Sequence, residues 1–123
     1  MAARGKRPNP LRVSDGFRQF VLDQLEGAAD VVPRAMFGGV GLYAEGLFFG
    51  IIAGDVLYLK VDEGNRGDYE AADMSPFKPY PRRSGTMQYW SVPVAVLESP
   101  EDLKLWVRKA LAAARRTAAA KRK

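Results

Sequence analysis

From Ser14 onward, apolar residues recur with a helical period. Phe17, Phe20, Val21, Leu25 and Ala28 fall on one face, Ser14 can cap the first turn, and Gly27 can end the last. The spacing predicts a helix over 14–26 that buries one side. From Val40 the period shortens. Three apolar runs, Val40–Ala44, Leu47–Ala53 and Val56–Val61, are separated only by Glu45-Gly46 and Gly54-Asp55. Links that short, with glycine accepting positive φ, predict an antiparallel meander of hairpins. In the third run Leu57, Leu59 and Val61 share one face, and Val56, Tyr58 and Lys60 share the other. Lys60 suggests that this second face reaches water. The middle run, Leu47 to Ile52, is apolar on both faces, which predicts a central strand with helices on one side and a partner on the other.

Beyond the meander, Asp62–Ala72 reads as a polar loop with a short helix near Arg66–Ala71. Phe77–Tyr80 is extended, but Pro76, Pro79 and Pro81 remove ladder donors and confine it to a sheet edge. Thr86–Val92 is a further strand, ended by Pro93. Ser99-Pro100-Glu101-Asp102 then combines a cap, a first-turn proline and two acids at the positive helix end. Leu103, Trp106, Val107, Ala110, Leu111 and Ala114 form the stripe of this last helix, with Trp106 placed in the core. After Leu111 large apolar groups are missing, so the helix is expected to fray. The order α-βββ-α-ββ-α is that of an α+β two-layer domain with an antiparallel sheet.

Composition removes whole classes of chemistry. The chain has 123 residues with no cysteine and no histidine, so it offers no thiol nucleophile, disulfide, zinc finger or imidazole base. Its length suits one domain, and 47% apolar with 27% charged residues is a globular balance. The net charge of +5 is unevenly spread. Residues 1–12 and 104–123 hold 12 of the 19 basic residues and no acid, whereas the segment between them carries a net −7. Basic ends can neutralise phosphates and release counterions, an attraction that ignores base sequence, or they can simply keep the chain soluble. Pro8 and Pro10 stand where a signal peptide needs its apolar stretch, and no run is long enough to span a bilayer, so a cytoplasmic setting is expected.

Candidate chemistry is sparse. Phe37-Gly38-Gly39-Val40-Gly41 looks like a phosphate cradle, but no Lys-Ser/Thr pair follows and the next element is a strand. A glycine-rich lead into the sheet, where backbone approaches another element closely, fits better. Asp62, Glu63 and Asp68 cluster without the spacing of a cation loop, and no metal site is expected. Tyr58 and Lys60 share a strand face that half-exposure explains as well as acid/base chemistry does. Phe77, Lys78, Tyr80, Arg82, Arg83, Tyr89 and Trp90 interleave aromatics with cations, a pattern that stacks bases and holds phosphates but that strand cores also produce.

The run Arg34-Ala35-Met36-Phe37-Gly38-Gly39-Val40-Gly41-Leu42-Tyr43 resembles the N-terminal domain of the TfoX/Sxy family, bacterial regulators of natural competence genes. Gly50, Lys60, Pro76, Phe77, Tyr89, Pro93 and Trp106 continue the likeness in order, and it covers roughly residues 14–114. The resemblance implies a fold similar to the secretion-chaperone class, which commonly dimerises. It implies action with a transcription factor of the cyclic-AMP receptor protein type at promoters of DNA-uptake genes. It brings no catalytic, cofactor or metal residue with it, so a non-enzymatic transcription accessory protein without a cofactor is expected. Full-type members carry a second, helical domain. Here residues 1–12 read as a disordered basic lead-in, 13–114 as the domain and 115–123 as a basic tail, so a stand-alone domain is expected. The residues expected to meet DNA are Arg4, Lys6, Arg7, Arg12, Arg115, Arg116, Lys121, Arg122 and Lys123, adding weak, non-specific affinity to protein–protein contact. The alternative is a dimeric, chaperone-like adaptor with no nucleic-acid role.

Overall fold

Helix α1 (Asp15–Leu25) starts where its cap predicts: the Phe17 amide donates to Ser14 Oγ at 3.2 Å. The structure is a computed structural model and describes residues 12–36, 38–77 and 88–121. Four strands follow, β1 (Val32–Met36), β2 (Gly39–Ala44), β3 (Leu47–Ala53) and β4 (Val56–Lys60). Then come α2 (Arg66–Ala71), β5 (Tyr89–Ser91), α3 (Val94–Leu97) and α4 (Pro100–Lys121). The sheet is antiparallel throughout, in the order β1-β2-β3-β4-β5. Both predicted tight turns form, with positive φ at Glu45 (56°), Gly46 (76°), Gly54 (56°) and Asp55 (57°), the signature of hairpin turns whose twist matches the strands. The α+β class is therefore as read from the sequence. Among the described residues no helix is long and apolar enough to cross a membrane.

Three local expectations need correction. Strand β1 was not anticipated, because the positions it turns towards the helix side are only half-buried Pro33 and exposed Ala35 and give no apolar alternation. Of the extended edge segment expected at Phe77–Tyr80, only Phe77 is described, its amide donating to the Tyr89 carbonyl beside a bridge between Pro76 and Trp90, and residues 78–80 lie outside the described residues. The four-residue helix α3 was too short to give a period. Finally, α4 does not fray after Leu111 but runs 22 residues to Lys121. Ala110, Ala113 and Ala114 are buried, so small side chains bring the helix close to the sheet instead of leaving it unheld. Beyond them Arg115 pairs with Glu45 in the β2–β3 turn, and Arg116 chelates Asp62 at 2.6 and 2.8 Å.

The helices cover one face of the sheet. Helix α4 packs on β3 and β4, and α1 and α3 pack on α4. Val40, Leu42, Phe49, Ile52, Leu57 and Leu59 point into this layer with Val21, Leu25, Leu103 and Val107. Phe49 and Ile52 reach the same side of one strand because the β2–β3 register shifts at Leu42/Tyr43, pairing Leu42 with Gly50 but Tyr43 with Phe48. Such a bulge resets the two-residue alternation. Gly50 sits beside it, where a Cβ would lie 3.1 Å from the Tyr58 carbonyl oxygen.

Candidate functional site

The strand register fixes what the other, helix-free face carries. Val32, Arg34 and Met36 of β1 stand beside Tyr43, Gly41 and Gly39 of β2. Phe48 and Ile51 of β3 follow, then Tyr58 and Lys60 of β4 opposite Ser91 and Tyr89 of β5. The residues that carry the family resemblance therefore divide by face. Arg34, Met36, Gly39, Gly41, Tyr43, Lys60 and Tyr89 lie on the helix-free side, joined by Phe77. Leu42 lies in the main core, and half-buried Trp106 packs against it with its ring 4.6 Å from Tyr69. Gly50 is fixed by close packing, Pro76 by its edge bridge, and Pro93 by preceding α3. Phe37 lies outside the described residues.

The glycine run has the role expected of it. Gly38 takes φ 87°, and a Cβ on Gly41 would come within 3.2 Å of the Met36 sulfur and 3.3 Å of the Phe48 ring. Bare backbone at Gly41 thus lets Met36 and Phe48 meet across it. Around them the aromatics are continuous: Tyr43 stacks on Phe48 at 5.0 Å, Phe48 meets Tyr89 at 5.1 Å, and Tyr58 meets Phe77 at 4.6 Å. Cations lie over two of these rings, Arg34 over Tyr43 at 5.8 Å and Lys60 over Tyr89 at 5.1 Å. Val32, Phe48 and Ile51 belong to this face and were missed from the sequence, since the bulge hides which of Phe48 and Phe49 faces which side.

The face is closed at one end and open at the other. Towards β5, Ile51, Ala53, Phe77 and Tyr89 form a second buried cluster, with Phe77 held by its amide donating to the Tyr89 carbonyl at 2.7 Å. One expectation changes here. Lys60 does not reach water but is only 7% exposed, its Nζ near Gln88 Oε1 at 3.4 Å. On this face of β3, Ile51 is covered within the chain, whereas Phe48 stays half-buried. Burial lowers the Lys60 amine, assisted by the nearby Lys121 charge, and burial raises the Tyr58 hydroxyl. Both shifts favour the neutral forms and reflect desolvation rather than a proton-transfer partnership. Towards β1 the face is open: Val32 and Arg34 are exposed, Tyr43 and Phe48 half-buried. A depression of about 510 Å³ lies there, lined by Val32, Arg34, Tyr43, Ala44, Glu45 and Gly46.

The basic residues expected to meet DNA are divided too. Arg4, Lys6, Arg7, Arg122 and Lys123 lie outside the described residues. Arg12 and Lys121 are exposed. Arg115 and Arg116 are engaged by Glu45 and Asp62, and a Cβ on Gly64 would fall 2.6 Å from the Arg116 guanidinium, so the loop is shaped to receive it. Asn65, only 2% exposed, holds that loop: its Nδ2 donates to the Lys60 carbonyl at 3.0 Å and its Oδ1 accepts the Asp62 amide at 2.8 Å. Of the interleaved aromatics and cations, Lys78, Tyr80, Arg82 and Arg83 lie outside the described residues. Phe77 and Tyr89 point to the helix-free face and Trp90 to the main core, so that run does not form one surface.

A search of curated proteins finds no match. A family model described as the TfoX N-terminal domain matches residues 23–114, from the second half of α1 to the middle of α4. It includes all five strands and every described residue of the Arg34–Tyr43 motif. The chain belongs to the TfoX N-terminal domain family.

Proposed function

We propose that this domain is a competence-type regulatory protein that works without catalysis, by contact with a transcription factor of the cyclic-AMP receptor protein type. The family match over residues 23–114 carries this reading. Its basic ends add DNA affinity that ignores sequence. Among the described residues Arg12 and Lys121 are exposed and make no ion pair, whereas Arg115 and Arg116 must first leave Glu45 and Asp62 to meet phosphate. The contribution of those two arginines is therefore smaller than their charge suggests.

The test is anisotropy of a fluorescent duplex DNA over a salt series. One sample is the full chain, and the other has Arg4, Lys6, Arg7, Lys121, Arg122 and Lys123 all replaced by glutamine. The full chain should bind with log affinity falling against log salt at about −0.9 per phosphate contacted. The variant should lose most of both affinity and slope. Equal binding by the two would remove the basic ends from the account. No binding by either at low salt would leave the adaptor alternative, in which protein contact is the whole function. That alternative draws on the exposed Val32, Val94 and Leu105, apolar side chains that the fold leaves in solvent.

A further inference from the structure

We propose that the acidic body of the domain is an internal competitor for duplex DNA. Asp68, Glu45 and Asp62 hold Lys109, Arg115 and Arg116 of α4, and a phosphate must displace these carboxylates to gain the cations. The inference rests on the duplex affinity of the basic ends and identifies the contact within the fold that limits it. Three observations carry it.

Charge is divided between α4 and the rest of the chain. All 14 acidic residues precede Leu103, and every charged residue from Leu103 onward is basic. Three ion pairs occur among the described residues, and each ties α4 to a different element. Lys109 meets Asp68 of α2 at 2.8 Å, Arg115 meets Glu45 in the β2–β3 turn, and Arg116 meets Asp62 just after β4. With about 3.6 residues per turn, Lys109 and Arg116 share one flank of the helix and Arg115 lies about 100° round from Arg116. The body thus holds α4 from two sides.

The seat of Arg116 is built for it. Its Nε and Nη2 donate to the two Asp62 oxygens at 2.6 and 2.8 Å. The Gly64 amide donates to Asp62 Oδ1 at 2.8 Å and orients that carboxylate, while the missing Cβ of Gly64 leaves the space the guanidinium fills. Buried Asn65 braces the same loop. The planar fork that grips a carboxylate is also the one that grips a phosphate, so the seat and the duplex draw on the same donors.

The pairs are also able to yield. Each of the three cations is more than half exposed, and an exposed pair shifts an equilibrium by roughly two- to fivefold at most. A duplex presents one phosphate charge per about 1.7 Å and releases counterions when a cation arrives, so it can displace a single carboxylate.

The experiment is anisotropy of a fluorescent duplex over a salt series with the full chain and Gly64→Ala. A Cβ there would fall 2.6 Å from Arg116 Nη2, the free end of a flexible side chain, so the variant displaces the guanidinium while every charge is kept. It should bind roughly two- to fivefold tighter, with a salt slope steeper by about 0.9 for one added phosphate contact. Combining it with Arg116→Gln should abolish the gain. Asp62→Asn tests the same seat from the other side and should gain at least as much. Asp30→Asn removes an exposed acid that pairs with no cation among the described residues, and should gain less. Duplex binding by Gly64→Ala alone would mean complete inhibition in the parent and support the proposal. Binding by the parent with no gain in Gly64→Ala, an equal gain in the double variant, or equal gains in Asp62→Asn and Asp30→Asn would overturn it and leave the basic ends as the duplex contact. No binding by any of them at low salt would overturn it together with the proposed function.

Discussion

Tyr69 is only 1% exposed, and among the described residues its hydroxyl has no hydrogen-bond partner. Its ring is held edge-on to Trp106 at 4.6 Å and to Trp90 at 6.2 Å. The ring therefore contributes to the core while the oxygen does not. A hydroxyl buried without a partner costs roughly 1–3 kcal/mol. Tyr69→Phe keeps the packing and removes that cost, so it should stabilise the protein by about 1–2 kcal/mol, or roughly 3–8 °C in thermal midpoint for a chain of this size. Alkaline pH supplies a second signature. Burial, with the Asp68 charge adding to it, raises the Tyr69 hydroxyl far above its ordinary value. The folded state then keeps a proton that the unfolded chain loses above about pH 10, so stability present below that pH is lost as pH rises, at up to ~1.4 kcal/mol per unit for this group. The phenylalanine variant lacks that slope, and its advantage over the parent should widen from pH 10 upward. Tyr89 and Tyr58, also raised by burial, supply a remaining slope common to both proteins. Urea titrations at pH 7 and across the alkaline range measure both effects. A destabilisation of 1 kcal/mol at pH 7, or identical alkaline limbs, would refute the reasoning and show that the hydroxyl is satisfied.

Four further outcomes follow from the same structure. Asn65→Ala strips two buried backbone groups of their partners and should cost about 1–3 kcal/mol in urea unfolding. The Arg116 guanidinium, helped by the Gly64 amide, holds the Asp62 carboxyl below its usual range. Stability from this pair is therefore present above about pH 4 and lost as pH falls further, and Arg116→Gln should flatten that acid limb. Gly64→Ala should have the same effect as Arg116→Gln, by pushing the guanidinium off its seat rather than removing it. Trp106→Ala should cost about 2–3 kcal/mol, less than the ~3–5 of a fully buried indole, because the residue is half-buried.

What the sequence showed and hid follows from where side chains find their partners. The hairpin turns at Glu45-Gly46 and Gly54-Asp55, the cap at Ser14 and the helix over Arg66–Ala71 are local, and all were legible. Strand β1 was not, since Pro33 and Ala35 are too small or too irregular to write a period. The end of α4 was misread because alanines look like an absence of core, yet Ala110, Ala113 and Ala114 are what allow the close approach. Its last turns are held by Arg115 and Arg116, whose partners lie 70 and 54 residues away. The candidate face was half-visible. Its motif residues stood out as a run, but which of them share a side depends on the register shift at Leu42/Tyr43. Lys60 shows the same limit, because a lysine at an alternating position reads as solvent-facing until Tyr89 and Gln88 are placed beside it.

The proposed function has the domain meet duplex DNA through its basic ends and not through its sheet. The most direct measurement is an amide NMR titration of the labelled full chain with a short duplex at low salt. The claim predicts shifts at Arg12, at Lys121 and in the residues beyond them, with the amides of β1 and β2 unmoved. Shifts centred on Arg34 and Tyr43, or none anywhere at saturating duplex, would contradict it.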